Sequence, residues 1–446
     1  MEAQQAAEFV LALAREHRLP DVDLLVSREE RLSLRVNRGR VEKVDQATAV
    51  GLGVRVVQEG RTGLAHTERL EAEALERAFL AARENASLQD STPVQLVGPP
   101  PHVPDPESLR LYNPELERLT AADLAAFGLE VEATARDADS RVKEVPYLAV
   151  SRESGWYQVV SSRGVTYQQR SNSVGAACQV LLVQNGQRKS GNAHWSRRHW
   201  ERQQAARLGR EAVHKGAHLL GAKAIPSAAL PVVLDEYCAP GLLGMFLGAF
   251  HAEAAQKGQS RLKGRLGEQI AEATLALTDE PHRPGDPGSR FLDAEGVPTQ
   301  PLPLIQDGRF VNFLYHVESA RKDGKASTGH AGRGYAGGIH TRSHNLVIPT
   351  GPHTLDELTA LAPRCLLVTE LEGGAGCNPL SGDISIGVQG FLVEGGRRVQ
   401  PVDSVTIAGN FFDLLRAIRA RGNAYQPHLS KLFIPPLLVD GLSIAG

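Results

Sequence analysis

The sequence predicts an α+β protein of two domains: an N-terminal domain that mixes helices with antiparallel strands, and a glycine-rich, mostly β C-terminal domain. Strand-like and helix-like segments follow one another without the regular βα alternation that builds a parallel sheet. The chain of 446 residues exceeds the usual size of one domain, and 42% of its residues are hydrophobic. We place the domains at residues 1–224 and 225–446, and no internal repeat of fixed period is visible.

The first residues have the pattern of an amphipathic helix, with Ala6, Phe9, Val10 and Leu13 on one side. Residues 23–65 then alternate apolar and polar side chains, interrupted at Arg38 by an Arg-Gly pair. This alternation predicts a meander of antiparallel strands. Residues 70–83 return to helical spacing.

The rest of the N-terminal domain begins with a proline-rich stretch at residues 98–106, which cannot be helical because proline lacks a backbone donor. A helix over residues 121–136, strands over residues 142–183 and a helix over residues 200–220 are predicted to follow. The boundary is placed at residues 224–226, just after the last of these helices.

The C-terminal domain is predicted to start with a buried strand at residues 230–234 and an apolar helix over residues 240–255. Residues 341–396 have the pattern of several strands. Their turns are predicted at glycine-containing pairs, at residues 373–374, 381–382 and 395–396.

Charge and composition exclude several classes of function. The chain has 49 Lys and Arg against 51 Asp and Glu, a formal net charge of −2, so we predict no nucleic-acid partner and no membrane surface. No apolar run approaches the ~18 residues that a membrane-spanning helix needs, and the N-terminus lacks a signal-peptide pattern. The four cysteines are far apart in sequence and suit a reducing compartment. We therefore expect a cytoplasmic protein.

Common catalytic motifs are missing: the sequence contains no P-loop, nucleophile elbow, dinucleotide-binding fingerprint or HExxH zinc motif. Three histidine groups remain as candidate metal ligands. His214 and His218 have helical spacing, and we interpret them as a solvated helix surface. His340 and His344 fall where a strand is predicted, which would put both rings on one face but too far apart for chelation. His251 and Glu253 point in different directions on a helix, which favours capping or substrate contact.

Two glycine-rich segments, residues 326–339 and 371–383, have two interpretations. Glycine allows two backbones to approach closely, which suits a groove that holds an extended peptide by main-chain hydrogen bonds. The alternative is that these glycines only permit tight turns.

Several segments in order along the chain resemble one known family. They are residues 37–42, 51–55, 274–298, 304–308, 327–330 with Arg333, 376–383 and 407–410. Together they resemble the TldD/PmbA family. The resemblance implies a two-domain α+β fold and a cytosolic metallopeptidase built from two related chains. TldD carries zinc, whereas TldE, also called PmbA, does not. It also implies action on short or unfolded peptides, and the family's older label is modulator of DNA gyrase.

The zinc site implied for TldD has no counterpart here. In TldD an HExxxH helix precedes a segment like residues 256–268, which puts the metal positions near Leu243, Gly244 and Gly248. None of these residues has a donor atom in its side chain. TldD also supplies a late cysteine ligand, and this chain has no cysteine after Asn410. The resemblance is therefore to the TldE subunit: we expect no cofactor in this chain and zinc in the partner subunit.

The resulting prediction is a non-catalytic subunit that joins a TldD-like chain and helps to enclose an unfolded peptide for proteolysis. The residues predicted to contact the peptide are His251, Thr328, Gly329, Gly373 and Gly374. Three alternatives stay open: a stand-alone metallopeptidase that uses unrecognised ligands such as His251 and Glu253, a homodimeric peptide-binding protein, and direct action on DNA gyrase or nucleic acid. The near-neutral charge disfavours the last of them.

Overall fold

A computed structural model describes residues 1–92 and 94–446. Its N-terminal half contains two sets of helices and strands. They are α1 (Ala3–Glu16), β1 (Asp21–Asn37), β2 (Arg40–Gln58), β3 (Arg61–Thr67), α2 (Ala72–Ser87), α3 (Ala121–Ala138), β4 (Val142–Ser161), β5 (Thr166–Gln184), β6 (Gln187–Arg197) and α4 (Gln204–His218). Short 3₁₀ turns at Pro106–Leu109 and Leu116–Arg118 lie between α2 and α3.

The six strands form one sheet in the order β3-β2-β1-β4-β5-β6, and every neighbouring pair is antiparallel. β1 and β2 are joined at Arg38 and Gly39, which have φ angles of 53° and 71°. Positive φ at both central residues is the geometry of a tight hairpin turn whose twist matches that of the strands. The meander predicted from the alternating pattern is confirmed.

The order of elements occurs twice in this half: helix, three strands and helix, first from α1 to α2 and then from α3 to α4. In both copies a glycine of the third strand lies against the following helix. A Cβ built on Gly63 would lie 1.9 Å from the Ala82 carbonyl oxygen, and one on Gly191 would lie 2.0 Å from the Ala212 carbonyl oxygen. A search for a fixed sequence period misses this repeat, because what recurs is the order of elements and this close contact.

Gly63→Ala is expected to lower the free energy of unfolding by about 1–3 kcal/mol, because the added methyl group must push helix α2 away from strand β3. The matched control is Gly248→Ala, since a Cβ there has no atom within 4 Å and the substitution is expected to be nearly neutral. Urea unfolding of both variants measures the difference. Equal midpoints would contradict the close packing described for Gly63.

The C-terminal half contains five short helices and fourteen strands, most of them short, among the residues that the structure describes. The helices are α5 (Cys238–Gly244), α6 (Ala252–Gln256), α7 (Val317–Lys322), α8 (Leu355–Ala360) and α9 (Phe411–Arg416). The strands are β7 (Val232–Leu234), β8 (Leu277–Asp279), β9 (Leu302–Gln306), β10 (Arg309–Phe310), β11 (Ala331–Gly332), β12 (His340–Thr341), β13 (Leu346–Val347), β14 (Arg364–Glu372), β15 (Asp383–Glu394), β16 (Arg397–Asn410), β17 (Ile418–Arg421), β18 (Leu432–Phe433), β19 (Leu437–Val439) and β20 (Ser443–Ala445).

These strands form sheets of seven, five and two strands, with orders β17-β19-β7-β14-β15-β16-β20, β10-β9-β8-β13-β18 and β11-β12. Most of their pairs are antiparallel, although β7 with β14 and β13 with β18 are parallel. The predicted α+β class, with antiparallel sheets in more than one domain, is confirmed. One large apolar core, which includes Phe246, Phe250, Leu304 and Phe411, lies between the seven-stranded and five-stranded sheets and the helices.

The structure corrects two predictions in this half. The helix predicted over residues 240–255 is divided into α5, a 3₁₀ turn at Leu247–Phe250 and α6. Glycines at positions 244 and 248 favour the interruption, because glycine is a poor helix former. The strands predicted over residues 341–396 are present, but α8 lies among them, capped by the Thr354 hydroxyl.

A buried ion network joins the two halves of the chain. Arg55 of β2 donates to Asp23 of β1 at 2.5 Å and to Glu295 of the C-terminal half at 2.7 Å, and Arg333 donates to Asp23 at 2.6 Å. All four side chains are 3% exposed or less. Burial alone would raise the pKa of Asp23, but the two arginines outweigh it and hold the pKa below its usual value. No helix in the described part of the chain is long and apolar enough to cross a membrane.

Candidate functional site

The connection from β7 to α5 positions the helix at which the resemblance locates a metal site in TldD. Asp235 follows β7 and accepts hydrogen bonds from the backbone N–H groups of Tyr237, at 3.0 Å, and Cys238, at 2.7 Å. Burial raises the pKa of Asp235 to about 6. These bonds fix the start of α5 close to the middle of the seven-stranded sheet.

Of the three positions expected for metal ligands, Leu243 and Gly244 lie against apolar side chains and Gly248 is exposed. Leu243 is fully buried in the C-terminal core. A Cβ built on Gly244 would lie 2.8 Å from Cδ1 of Leu432, and Gly248 has no atom within 4 Å of such a Cβ. Across residues 1–92 and 94–446, no three His, Cys, Asp or Glu side chains are arranged to hold a metal ion. The residues at this site do not fit zinc, which needs nitrogen, oxygen or sulfur donors.

Gly373 and Gly374, two of the predicted peptide contacts, follow the last residue of β14 and lie beside the α5 segment. A Cβ on Gly374 would lie 3.0 Å from Cε of Met245, one residue past the end of α5. Gly373 has a φ of 77°, in the left-handed region that favours glycine. These two glycines therefore border the apolar surroundings described above.

A second group of polar side chains surrounds Asp279, which is fully buried at the end of β8. One carboxylate oxygen accepts from the backbone N–H of Asn345 at 2.9 Å, and the other accepts from the backbone N–H of His344 at 2.8 Å and contacts Nε2 of His330 at 3.1 Å. Burial alone would raise the pKa of Asp279, but the hydrogen bond with His330 and the nearby His344 keep the pKa below its usual value.

Thr328 and Gly329, two further predicted peptide contacts, form hydrogen bonds with the histidines that surround Asp279. The Thr328 hydroxyl lies 2.8 Å from Nδ1 of His330 and accepts from the backbone N–H of Tyr315 at 2.8 Å. The Gly329 carbonyl oxygen is 2.9 Å from Nε2 of His344. Gly329 itself has a φ of 75° and lies against the Pro298 carbonyl, so this glycine satisfies a turn and a close approach within the chain.

His251, the fifth predicted contact, precedes α6 in extended conformation and forms an isolated bridge with Leu314. Burial, together with nearby His330 and His340, lowers the pKa of His251 to about 4. Glu253 is held by Lys257 Nζ at 2.6 Å and by the backbone N–H of Thr341 at 3.4 Å. The predicted contacts thus form two groups: one includes His251, Thr328 and Gly329, and the other contains the two glycines beside Met245.

Of the two other histidine pairs considered as metal ligands, His214 and His218 lie close together, whereas His340 and His344 do not share one strand face. The rings of His214 and His218 share one face of α4, with centroids 3.9 Å apart, and His218 contacts the His214 carbonyl. His340 is exposed on the two-residue strand β12, whereas His344 lies beyond that strand and is buried, so the prediction that both rings share one strand face is wrong. Sequence reasoning missed Asp279 as a partner of His330, since 51 residues separate the two and no local pattern connects them.

His428 lies at a contact between the two halves of the chain. Its ring centroid is 4.2 Å from that of His194 in β6, and its Nε2 is 3.3 Å from the Tyr237 hydroxyl. Burial, together with the positive charges of His194, Arg197 and Lys215, lowers the pKa of His428 to about 3. The native structure therefore favours the neutral ring.

His428→Asn is expected to reduce the loss of stability on acidification. A histidine whose pKa is about 3 when folded and about 6.5 when unfolded stabilises the native state fully above pH ~6.5 and loses that contribution as the pH falls towards 3. The difference in Tm between wild type and variant should therefore shrink between pH 7 and pH 5. Carboxylates with a raised pKa, such as Asp235, also make stability depend on pH. They are present in both wild type and variant, so their effect cancels in the difference between the two Tm values. A difference that does not change with pH would contradict the buried neutral ring.

Comparisons with known proteins cover nearly the whole chain. Three family models match in order: PmbA/TldA metallopeptidase domain 1 over residues 22–86, the central domain over residues 114–220 and the C-terminal domain over residues 227–446. A relative from Escherichia coli O157:H7, named metalloprotease PmbA, is 29% identical over 95% of this chain and 92% of its own length.

Two solved structures have the same fold. One, a candidate modulator of DNA gyrase from Thermotoga maritima MSB8, has 27% identity and a TM-score of 0.90 and covers 99% of this chain and 100% of its own. The other, TldE from Thermococcus kodakarensis, has 23% identity and a TM-score of 0.88, with coverage of 99% and 100%. Because TldE from Thermococcus kodakarensis is only 23% identical to this chain, that comparison supports the fold and nothing further.

Proposed function

Because the chain belongs to the TldD/PmbA metallopeptidase family, we propose that it is the accessory subunit, of the TldE type, of a cytoplasmic two-chain peptidase. Its role is to join a zinc-bearing TldD-like subunit and to help hold an unfolded peptide for cleavage there. The relative named metalloprotease PmbA supports a role in proteolysis.

The observation that carries this proposal is that the positions at which the resemblance places the metal ligands of TldD have no donor side chain here, and that two of them, Leu243 and Gly244, pack against apolar atoms. Leu243 is buried in the core, and Gly244 lies directly against Leu432. An aliphatic side chain and two glycines supply no donor atom and no group that activates water. The surrounding packing also leaves no room for a larger side chain at position 244 without moving Leu432.

The two groups of predicted contacts would supply the walls of the peptide groove. Gly373 and Gly374 border the α5 segment, and a glycine backbone there permits a peptide strand to approach closely. Main-chain hydrogen bonding to such a glycine segment selects unfolded peptides with little preference for sequence. Thr328 and Gly329 are held in place by His330 and His344, and the backbone N–H and carbonyl of Gly329 already bond within the chain, so this group would form a rigid wall beside the peptide.

The test is to co-express the chain with the TldD-like chain of the same genome and to measure cleavage of an unstructured peptide. We expect cleavage by the pair and none by this chain alone. Gly374→Val should slow cleavage by the pair without preventing its assembly, and Gly98→Val, in the exposed linker between α2 and α3 where a Cβ meets no atom within 4 Å, is the control. Equal cleavage by the TldD-like chain with and without this subunit would overturn the proposal, as would zinc-dependent cleavage by this chain alone, which the stand-alone alternative requires.

A further inference from the structure

Three positively charged side chains, which we call the basic cluster, lie together in the C-terminal half without a negative partner. Arg290 lies in the segment between β8 and β9, Arg342 follows β12, and Lys431 precedes β18. Arg290 is 7% exposed, and the other two residues are partly buried. Among the described residues, none of the three forms an ion pair with Asp or Glu, and none donates a hydrogen bond from its side chain.

Three neighbouring strands bring these segments together. β8 ends at Asp279, which pairs with Leu346 at the start of β13, and Leu346 pairs with Leu432 at the start of β18. The chain therefore leaves β8 and enters β13 and β18 at the same end of the five-stranded sheet. The residues of the basic cluster lie in these segments, so the topology of the sheet places them side by side although they are far apart in sequence.

The ion network between the two halves shows what a buried arginine ordinarily has. Arg55 donates to Asp23 and Glu295, and Arg333 donates to Asp23. Nε of Arg290, by contrast, is buried and has no hydrogen-bond partner within residues 1–92 and 94–446. Burying a charge without a partner is costly, and an unpartnered group of this kind is typical of a site that receives its partner from a ligand.

The charges of the basic cluster also act on one another. The charge of Arg290, together with burial, lowers the pKa of Arg342 to about 10. Burial and the charges of Arg342 and Arg290 lower the pKa of Lys431 to about 8. The three groups are therefore close enough to repel one another, and a bound anion would relieve this repulsion.

A cleft of about 700 Å³ opens beside the basic cluster. Its wall includes Tyr157, and the guanidinium carbon of Arg290 lies 5.8 Å from the centroid of that ring. Pro287 and Leu429, which are close in sequence to Arg290 and Lys431, belong to the same wall. The wall also contains three glutamates, none of which pairs with the basic cluster in the described part of the chain. A ligand held by the cluster thus has room to extend into the cleft.

We propose that the basic cluster binds a phosphate group, either free phosphate or a phosphate monoester whose remainder lies in the cleft. Guanidinium groups match the oxygens of phosphate with paired hydrogen bonds, and a lysine adds a point charge. A phosphate monoester carries up to two negative charges at neutral pH, so it offsets more of the three positive charges than a carboxylate does. This inference goes beyond the proposed role in peptide cleavage and does not depend on it.

Titration calorimetry of the full chain with inorganic phosphate tests the site. The ionic strength is held constant with sodium chloride, so that binding is separated from screening. We expect wild type to bind, and Arg290→Met and Lys431→Met each to weaken binding by about tenfold or more, because each removes a charged hydrogen-bond donor. Arg419→Met removes an exposed cation of β17 and should bind as wild type does. A wild type that does not bind phosphate, or equal binding by all four proteins, would overturn the proposal.

The stability of the same proteins separates a ligand site from a merely structural role. Without phosphate, Arg290→Met and Lys431→Met should have a Tm equal to or above that of wild type, because each removes one of three like charges. With phosphate, the Tm of wild type should rise, and those of the two variants should rise less. Variants that unfold below wild type in the absence of phosphate, or a wild type whose Tm ignores phosphate, would contradict the site.

Two further ligands identify the anion. Glycerol 3-phosphate that binds more tightly than inorganic phosphate would identify the ligand as a monoester, whereas the reverse order would identify it as free phosphate, and both results support the site. Acetate has the planar carboxylate and single charge of a peptide C-terminus, and we expect it to bind at least about tenfold more weakly. Acetate that binds as tightly as either phosphate ligand would overturn the assignment to phosphate.

Discussion

Arg55→Met is expected to lower the free energy of unfolding by about 3–5 kcal/mol. Arg55 donates to Asp23 and to Glu295 with all three side chains buried, and removing it leaves two carboxylates without their common cation. Arg333 can neutralise Asp23, to which it already donates at 2.6 Å, but no second Lys or Arg in the described part of the chain forms an ion pair with Glu295. The variant should also loosen the contact between the two halves of the chain, because Glu295 belongs to the C-terminal half.

The control for Arg55 is Arg31→Met in the same sheet. Arg31 pairs with Glu153 at 3.6 Å, and both side chains are more than half exposed, so its loss should change stability by less than about 0.5 kcal/mol. Urea unfolding followed by circular dichroism gives both midpoints. A midpoint for Arg55→Met as high as that for Arg31→Met would show that the buried network does not hold the two halves together.

Asp279→Ala is expected to lower stability by about 3 kcal/mol or more, because it leaves three buried groups without an acceptor. These are the backbone N–H groups of His344 and Asn345 and the ring of His330. The loss also removes the support of Thr328 and Gly329, which are connected to His330 and His344. A pair assembled with a TldD-like chain should therefore lose peptide cleavage in addition to stability.

Two further variants separate the causes of this effect. Asp279→Asn keeps one carbonyl oxygen as an acceptor, so it should retain more stability than Asp279→Ala. Asp90→Ala changes an exposed carboxylate and should be neutral. Thermal unfolding and cleavage by the reconstituted pair are the measurements. If Asp279→Ala is as stable as Asp90→Ala, the buried group around Asp279 does not organise this site.

The features of the fold that local pattern determines were predictable from the sequence. Alternation over residues 23–65 predicted the meander, and the Arg-Gly pair at Arg38 marked its first turn. The interruption between α5 and α6 was missed, because an apolar composition suits a buried helix and a buried turn equally well. The segment of α8 was interpreted as part of a strand region, although Thr354 and Glu357 form a capping box at its start.

The site depends on contacts between distant parts of the chain, and these were not predictable from local pattern. Arg55 and Glu295 are 240 residues apart, and His330 and Asp279 are 51 residues apart. The resemblance to a family located residues 327–330 and the positions near Leu243, yet it could not show that Leu432 fills the space beside Gly244. Packing of this kind is set by the whole fold, so it becomes visible only in three dimensions.

In the proposed pair, this chain has no zinc site of its own and supports cleavage by its partner. The most direct test is to purify the chain without chelator, measure its zinc content, and assay the same sample for cleavage of an unstructured peptide. We expect zinc far below one ion per chain and no cleavage until a TldD-like chain is added. About one tightly bound zinc ion per chain, together with cleavage that a chelator abolishes, would contradict this expectation.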